Sequence, residues 1–180
     1  MKSVIIGMVG LPAVGKSTIG NKISSEFNIS HINKDRFRDF LIGNIRFFND
    51  TPYSHRNPKI KLVNEVVAPA ADKIILQHLK NGQSVIIDGY GKNKEKRDGY
   101  KELIKNYDYK IIIIYVKEKE ETILKRLKKR DEEDKNSRWI ETYYTRWKPT
   151  FSVPKKEECD ELIEVETADE AIIKLRKFMS

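Results

Sequence analysis

Cysteine is almost missing from this 180-residue chain. Cys159 stands alone, which excludes an internal disulfide framework and any site built from clustered thiolates. Histidine is scarce too. His31, His55 and His78 are scattered, a poor start for a zinc site. No apolar run approaches the ~18 residues of a membrane span, so no membrane association is expected. The apolar stretch Val4–Val9 is broken at Gly7 and followed by Gly10 and Pro12, so it reads as a buried strand rather than an export signal. Without an export signal and with one thiol, the expected location is cytoplasmic. Repeats and low-complexity linkers are also lacking, so residues 1–180 are expected to form one domain.

Charge, by contrast, is abundant: charged residues are 34% of the chain and hydrophobic ones 39%, with a net charge of +8. That composition belongs to a globular protein with a core, not to a disordered or fibrous one. The balance is uneven. Residues 1–150 hold thirty basic and nineteen acidic side chains, +11, and residues 151–180 hold five and eight, −3. A basic body attracts polyanions, including nucleotides, DNA and RNA.

Strand and helix patterns alternate along the chain. Strands are expected at Lys2–Val9, Ile29–Ile32, Ser84–Asp88, Lys110–Val116 and Leu162–Val165. Helices are expected at Lys16–Phe27, from Asn33 to Leu41, from Pro58 to Lys80 with a bend at Pro69, at 93–106, Glu118–Arg130, Ser137–Trp147 and Ala168–Phe178. The run Lys110–Val116 is the most apolar and is expected at the centre of the sheet. Alternation of this kind implies an α/β fold, a parallel sheet covered by helices on both faces.

The segment Gly10-Leu-Pro-Ala13-Val14-Gly15-Lys16-Ser17 fits G-x-x-x-x-G-K-[ST] between a strand and a helix. Its glycines permit the backbone angles that turn successive N–H groups toward one point, an anion nest at a helix N-terminus. Lys16 is placed to reach the β- and γ-phosphates, the Ser17 hydroxyl to ligate Mg²⁺, and Thr18 to add a hydroxyl near the α-phosphate. Gly10, Ala13, Val14, Gly15, Lys16, Ser17 and Thr18 are therefore the expected nucleotide cradle. Asp88-Gly-Tyr-Gly91 reads as the D-x-x-G of switch GTPases. However, Asn33-Lys34-Asp35-Arg36 and Asn93-Lys94-Glu95-Lys96 lack the fourth-position Asp that selects guanine, so a GTPase is not expected.

A kinase needs a group to accept the proton of the attacking hydroxyl. In a helix starting near Asn33, Phe37, Phe40 and Leu41 make an apolar face, with Asp35, Arg38 and Asp39 opposite. Asp35 is the candidate base and its neighbour Arg38 a candidate for a substrate phosphate. Alternatively, Asp35 complements the helix dipole with Arg38 as its surface partner. Arg126 and Arg130 end the helix over 118–130 and suit a lid, about 118–147, closing over phosphates; Arg138 could join them. Asp88, at a strand end, is placed to hold Mg²⁺ through water and to meet substrate. Arg97 is a weaker candidate for substrate contact, with a solvated helix face as the alternative. Tyr143, Tyr144 and Trp147 read as packing rather than base-stacking residues. Tyr53 and His55 could line an acceptor site.

Together these residues resemble the P-loop kinases of the bacteriophage polynucleotide-kinase type, which are also similar to zeta toxins. The likeness extends beyond Gly10–Thr18 to Ile32-Asn-Lys-Asp35-Arg-Phe-Arg38, to Val85-Ile-Ile-Asp88 with Asn93 and Arg97, to Lys125-Arg126 with Lys129-Arg130, and to Trp147-Lys-Pro149. It implies a five-stranded parallel sheet of order 2-3-1-4-5, ATP as donor, Asp35 as base and Arg38 toward the acceptor's phosphate. After Asp88 the chain departs from that family, with Gly89-Tyr90-Gly91 in place of a threonine–asparagine stretch. The expected activity is ATP-dependent, Mg²⁺-assisted transfer to a hydroxyl of DNA or RNA, either a 5′-hydroxyl end or a hydroxyl on a modified base. No obligate protein partner is implied. A small-molecule kinase and a non-catalytic nucleotide-binding switch are the alternatives.

Overall fold

A computed structural model describes residues 3–47, 58–133 and 138–179. The elements in chain order are β1 (Val4–Val9), α1 (Lys16–Phe27), β2 (Ser30–Asn33), α2 (Lys34–Asn44), α3 (Pro58–Lys80), β3 (Val85–Asp88), α4 (Lys94–Ile104), β4 (Lys110–Val116), α5 (Glu120–Glu133), α6 (Trp139–Thr142), a π-helical turn (Tyr143–Trp147), α7 (Lys148–Thr150), β5 (Glu161–Val165) and α8 (Ala168–Met179). All strand pairs are parallel, in the order β2-β3-β1-β4-β5.

The sheet divides the core in two because successive strand residues point to opposite faces. Ile6 and Met8 of β1 pack with Ile19 and Ile23 of α1, Leu127 of α5 and Leu175 of α8. Ile5 and Val9 pack on the other face with Ala71 and Ile75 of α3 and Ile104 of α4. Gly7 shares this second face. A Cβ there would lie 2.4 Å from Cγ of Tyr90, so the glycine makes room for that buried ring.

Two expectations need correction. The central strand is β1, not the more apolar Lys110–Val116. All six β1 residues are buried, while Lys110, Ile111 and Tyr115 of β4 are only partly so. Length of an apolar run reports burial on both faces, not position in the sheet. In α2, Phe40 is 64% exposed while Arg38 is buried. Phe37, Leu41 and Ile42 instead pack on Val63 and Val67 of α3, which turns the helix relative to the face read from the pattern. Residues 48–57, with Tyr53 and His55, lie outside the described residues, as do 134–137 of the charged loop.

Candidate active site

The phosphate loop leaves the carboxyl end of β1 and runs into α1. Gly10 (φ 154°), Ala13 (φ 63°) and Gly15 (φ 103°) hold positive φ angles that turn the backbone around one centre. Val14 is buried in the core and anchors the loop from beneath. Lys16 Nζ donates to the carbonyl oxygens of Gly10 (3.0 Å) and Leu11 (2.7 Å). Burial lowers its pKa to about 8; Arg130 adds to that, and Asp88 and Asp35 oppose it. A poorly solvated ammonium at a helix N-terminus, where the first N–H groups have no intrahelical partner, suits an anion.

Parallel register places Asn33, the last residue of β2, beside Asp88, the last of β3. Asp88 Oδ2 accepts from Ser17 Oγ at 2.6 Å and from Asn33 Nδ2 at 2.7 Å, with His31 Nε2 at 3.5 Å. Burial opposes ionisation of Asp88, but His31, Ser17 and Lys16 together hold its carboxyl below the ordinary range. The sequence places Asn33 at the start of a helix, and the structure makes it the cap. Its Oδ1 does accept from the N–H groups of Asp35 (2.9 Å) and Arg36 (3.1 Å), yet its amide also ties α2 to Asp88. The contacts of His31 and Asn33 with Asp88 depend on register with β3, which no local pattern carries.

Ser17 and Asp88 offer two hard oxygen donors at the phosphate loop. That set fits a Mg²⁺ ion that takes the rest of its shell from phosphates and water. Among the described residues no cluster of three or more His, Cys, Asp or Glu forms an all-protein metal site. Bound there with a nucleotide, the ion would offset charge on the β- and γ-phosphates.

A cleft of about 1300 Å³ joins Lys16, Ser17, Asp88, Asp35, Arg126 and Arg130. The Asp35 side chain is 80% exposed and ion-paired with Arg38, whose side chain is only 9% exposed. Arg126 donates to the Ala13 carbonyl at 2.8 Å and pairs with Glu118 at 2.9 Å, fastening α5 to the phosphate loop. The Arg130 guanidinium lies over the Trp139 ring, 5.4 Å from its centroid. Asp131 accepts from the N–H groups of Trp139 (2.6 Å) and Ile140 (3.1 Å), tying the start of α6 to α5. Arg138 does not join the lid arginines; its side chain is 81% exposed and faces Glu141. Tyr143 is buried packing, whereas Tyr144 is exposed.

Arg97 is the clear correction. It does not face the cleft and is not a solvated surface residue; it is wholly buried. Its Nε and a terminal nitrogen donate to the two carboxylate oxygens of Glu158, at 2.6 and 3.1 Å. The other terminal nitrogen donates to the Ser152 carbonyl at 3.0 Å. The residue clamps the segment after α7 onto α4, and its partner lies too far along the chain for a sequence pattern to show.

One phosphate loop on a 2-3-1-4-5 parallel sheet, roofed by a helix carrying arginines, is the architecture of the P-loop kinases. A family profile described as an AAA domain matches residues 5–154, and the chain belongs to that family. It is 30% identical over 128 residues to an adenylate kinase of Rickettsia africae (strain ESF-5), covering 69% of this chain and 57% of that enzyme. The chain thus spans little more than half the length of that relative. A candidate kinase from Chloroflexus aurantiacus superposes with a TM-score of 0.75 at 17% identity, over 99% of this chain and 96% of that one. A chain of the Pnkp1/Rnl/Hen1 RNA repair complex is 25% identical with a TM-score of 0.60, over 82% of this chain and 45% of its own. Among the described residues no helix is long and apolar enough to cross a membrane.

Proposed function

We propose that the protein is an ATP- and Mg²⁺-dependent kinase that phosphorylates a hydroxyl of a nucleic acid. The observation that carries this reading is the exposed Asp35 carboxylate on the same cleft as Lys16, presented by a helix whose cap is hydrogen-bonded to Asp88. The phosphate loop and Lys16 hold the β- and γ-phosphates. An acceptor hydroxyl at Asp35 gives up its proton to that carboxylate. Its oxygen bonds to the γ-phosphorus as the bond to the β–γ bridging oxygen breaks, and ADP leaves. Arg38, largely buried beside Asp35, fixes the direction of that carboxylate. Arg130, near Lys16, faces charge developing on the transferred group. The net charge of +8 and the likeness to the RNA repair chain support a nucleic acid as acceptor.

Incubation with γ-labelled ATP and oligonucleotides carrying 5′-hydroxyl ends, or hydroxymethylated bases, is expected to label the nucleic acid. Rate should fall steeply with salt, as polyanion binding does. Absence of label on all of them rejects this acceptor class. The likeness to an adenylate kinase favours a second reading, transfer to a free nucleotide, which predicts label on mononucleotides with weak salt dependence.

A further inference from the structure

A second cavity, of about 740 Å³, lies beside the phosphate loop and shares Pro12, Lys16, Lys34, Gly89 and Trp147 with the nucleotide cleft. Asp35, Arg38, Asp88 and Arg97, singled out in the sequence for the acceptor, are not among its lining residues. Its lining combines the end of β1 at Met8 and Val9, Tyr100 and Leu103 of α4, and Phe151 after α7. Its aromatic walls are braced from behind. Tyr100 stacks on the buried Tyr90, with centroids 4.8 Å apart and planes 17° apart, and Tyr90 rests over Gly7. Phe151 stacks on Tyr115 at 6.1 Å. Rings fixed in this way offer flat apolar surface at little entropic cost.

The charged lining is not balanced. Lys34 is taken by Asp72 at 2.9 Å, and Glu102 pairs with Lys105. Lys92 and Lys96 have no carboxylate partner among the described residues; Lys92 Nζ donates to the Thr150 hydroxyl at 2.8 Å. Burial and the neighbouring Arg146 and Lys96 all lower the Lys92 pKa, the mark of cations crowded without an anion. Since Arg38 is largely buried against Asp35, these lysines are the more open seat for a phosphate on the acceptor.

We propose that this cavity seats the acceptor, taking the heterocyclic base of a nucleotide against Tyr100, Leu103 and Phe151, with Lys92 and Lys96 on a phosphate of the same nucleotide. The inference rests on the kinase reading and names what the site recognises. A sugar or other polyol would need many hydrogen-bond partners, and this lining is mostly apolar. The base belongs to a free nucleotide, to the 5′-terminal nucleotide of a strand, or to a modified base turned out of one. All three present the same ring and phosphate. The mouth shared with the nucleotide cleft at Lys16 and Lys34 is where the acceptor's hydroxyl meets Asp35.

Gly99 lies on the cavity wall, and a Cβ there meets nothing within 4 Å. Gly99→Leu therefore adds an apolar side chain at the cavity wall where its first carbon has room, and α4 tolerates leucine better than a mid-helix glycine. The test titrates deoxynucleoside 3′-monophosphates and the matching nucleosides into the intact protein by calorimetry, with a non-hydrolysable ATP analogue bound. The wild type should bind the monophosphates at least tenfold more tightly than the nucleosides. Lys92→Gln with Lys96→Gln should erase that difference. Gly99→Leu should weaken both classes at least tenfold while the affinity for the ATP analogue stays within twofold.

Parallel assays with labelled ATP offer a mononucleotide, a 5′-hydroxyl oligonucleotide, and a 5′-phosphorylated oligonucleotide bearing one hydroxymethylated pyrimidine. A tenfold rise in acceptor KM for Gly99→Leu in whichever arm accepts label supports the seat and names its source. Binding that obeys these rules with no transfer in any arm keeps the seat and overturns the kinase reading. No nucleotide binding by the wild type, or an acceptor KM unchanged by Gly99→Leu, overturns the seat and leaves the kinase reading standing.

Discussion

Two arginine–carboxylate pairs in this protein use the same chemistry for opposite ends. Arg97 and Glu158 are both enclosed, with side chains 0% and 2% exposed. Arg38 is enclosed too, but its partner Asp35 is 80% exposed. When both partners are enclosed, the pair can do nothing but hold. It ties the segment after α7 to α4, with Ser152 Oγ accepting from the Lys94 N–H at 3.1 Å alongside. That clamp holds the segment carrying Phe151 against the helix carrying Tyr100, two walls of the second cavity. When the cation is fixed and the carboxylate open, the pair leaves an oriented carboxylate facing the cleft, the arrangement that the proposed base requires. The type of residue is therefore a weaker guide to role than the asymmetry of its burial.

The widest separation of the two pairs should come from removing each carboxylate. Asp35→Asn is expected to lower single-turnover transfer by about 10²–10⁴-fold, the usual worth of a positioned base. Melting temperature should fall far less than for the enclosed pair, because the Asp35 side chain is largely exposed and an asparagine oxygen can still accept from Arg38, and ATP affinity near neutral pH should hold. Full transfer activity in Asp35→Asn would erase the contrast.

Glu158→Ala should do the reverse. Leaving Arg97 buried without its partner costs about 3–5 kcal/mol, which lowers the melting temperature by on the order of 10 °C for a chain of this size. The double replacement Arg97→Met with Glu158→Leu should recover most of that loss, since it removes both charges from the interior. The clamp also has a pH signature. Burial opposes ionisation of Glu158, but Arg97 and the Lys155 N–H hold its carboxyl below the ordinary glutamate range. Its stabilisation is then complete above the unfolded value and is lost as pH falls through the depressed one. Acid unfolding of the wild type should therefore begin at higher pH than that of the double variant, as read by circular dichroism.

The contrast also explains what was legible in the sequence. The phosphate loop was, because its chemistry is written in eight consecutive residues with a strand before and a helix after. The strand alternation was legible as well, although the 2-3-1-4-5 order came through family resemblance rather than periodicity. Asp35 was visible as a first-turn acid after a capping Asn33. The Arg97 clamp was not, because its partners are sixty-one positions apart and the motif Lys94-Glu-Lys-Arg97 looks like any solvated helix. Arg38 and Phe40 exchanged places because α2 turns Phe37, Leu41 and Ile42 toward Val63 and Val67 of α3, and an eleven-residue helix with mixed polarity does not announce which side that will be. The second cavity was invisible for a related reason: β1, α4 and the chain after α7 each contribute one wall.

The smallest effect is also the one that discriminates most finely between the pairs. Lys16 has a pKa of about 8, set first by burial, raised by Asp88 and Asp35 and lowered by Arg130. Phosphates favour its charged form. ATP affinity should therefore weaken as pH rises through about 8, and binding at that pH should take up roughly half a proton, measured by calorimetry in buffers of different ionisation enthalpy. Folding stability runs the other way. A lysine whose folded pKa lies below its ordinary 10.5 contributes a penalty that is relieved as pH rises between about 8 and 10.5. Against that background, Asp35→Asn should shift the affinity midpoint to lower pH by a fraction of a unit, and Arg130→Gln should shift it to higher pH. Glu158→Gln should leave it in place, because its charge is spent on Arg97 away from the phosphate loop. A midpoint that moved with Glu158 but not with Asp35 would invert the assignment of the two pairs.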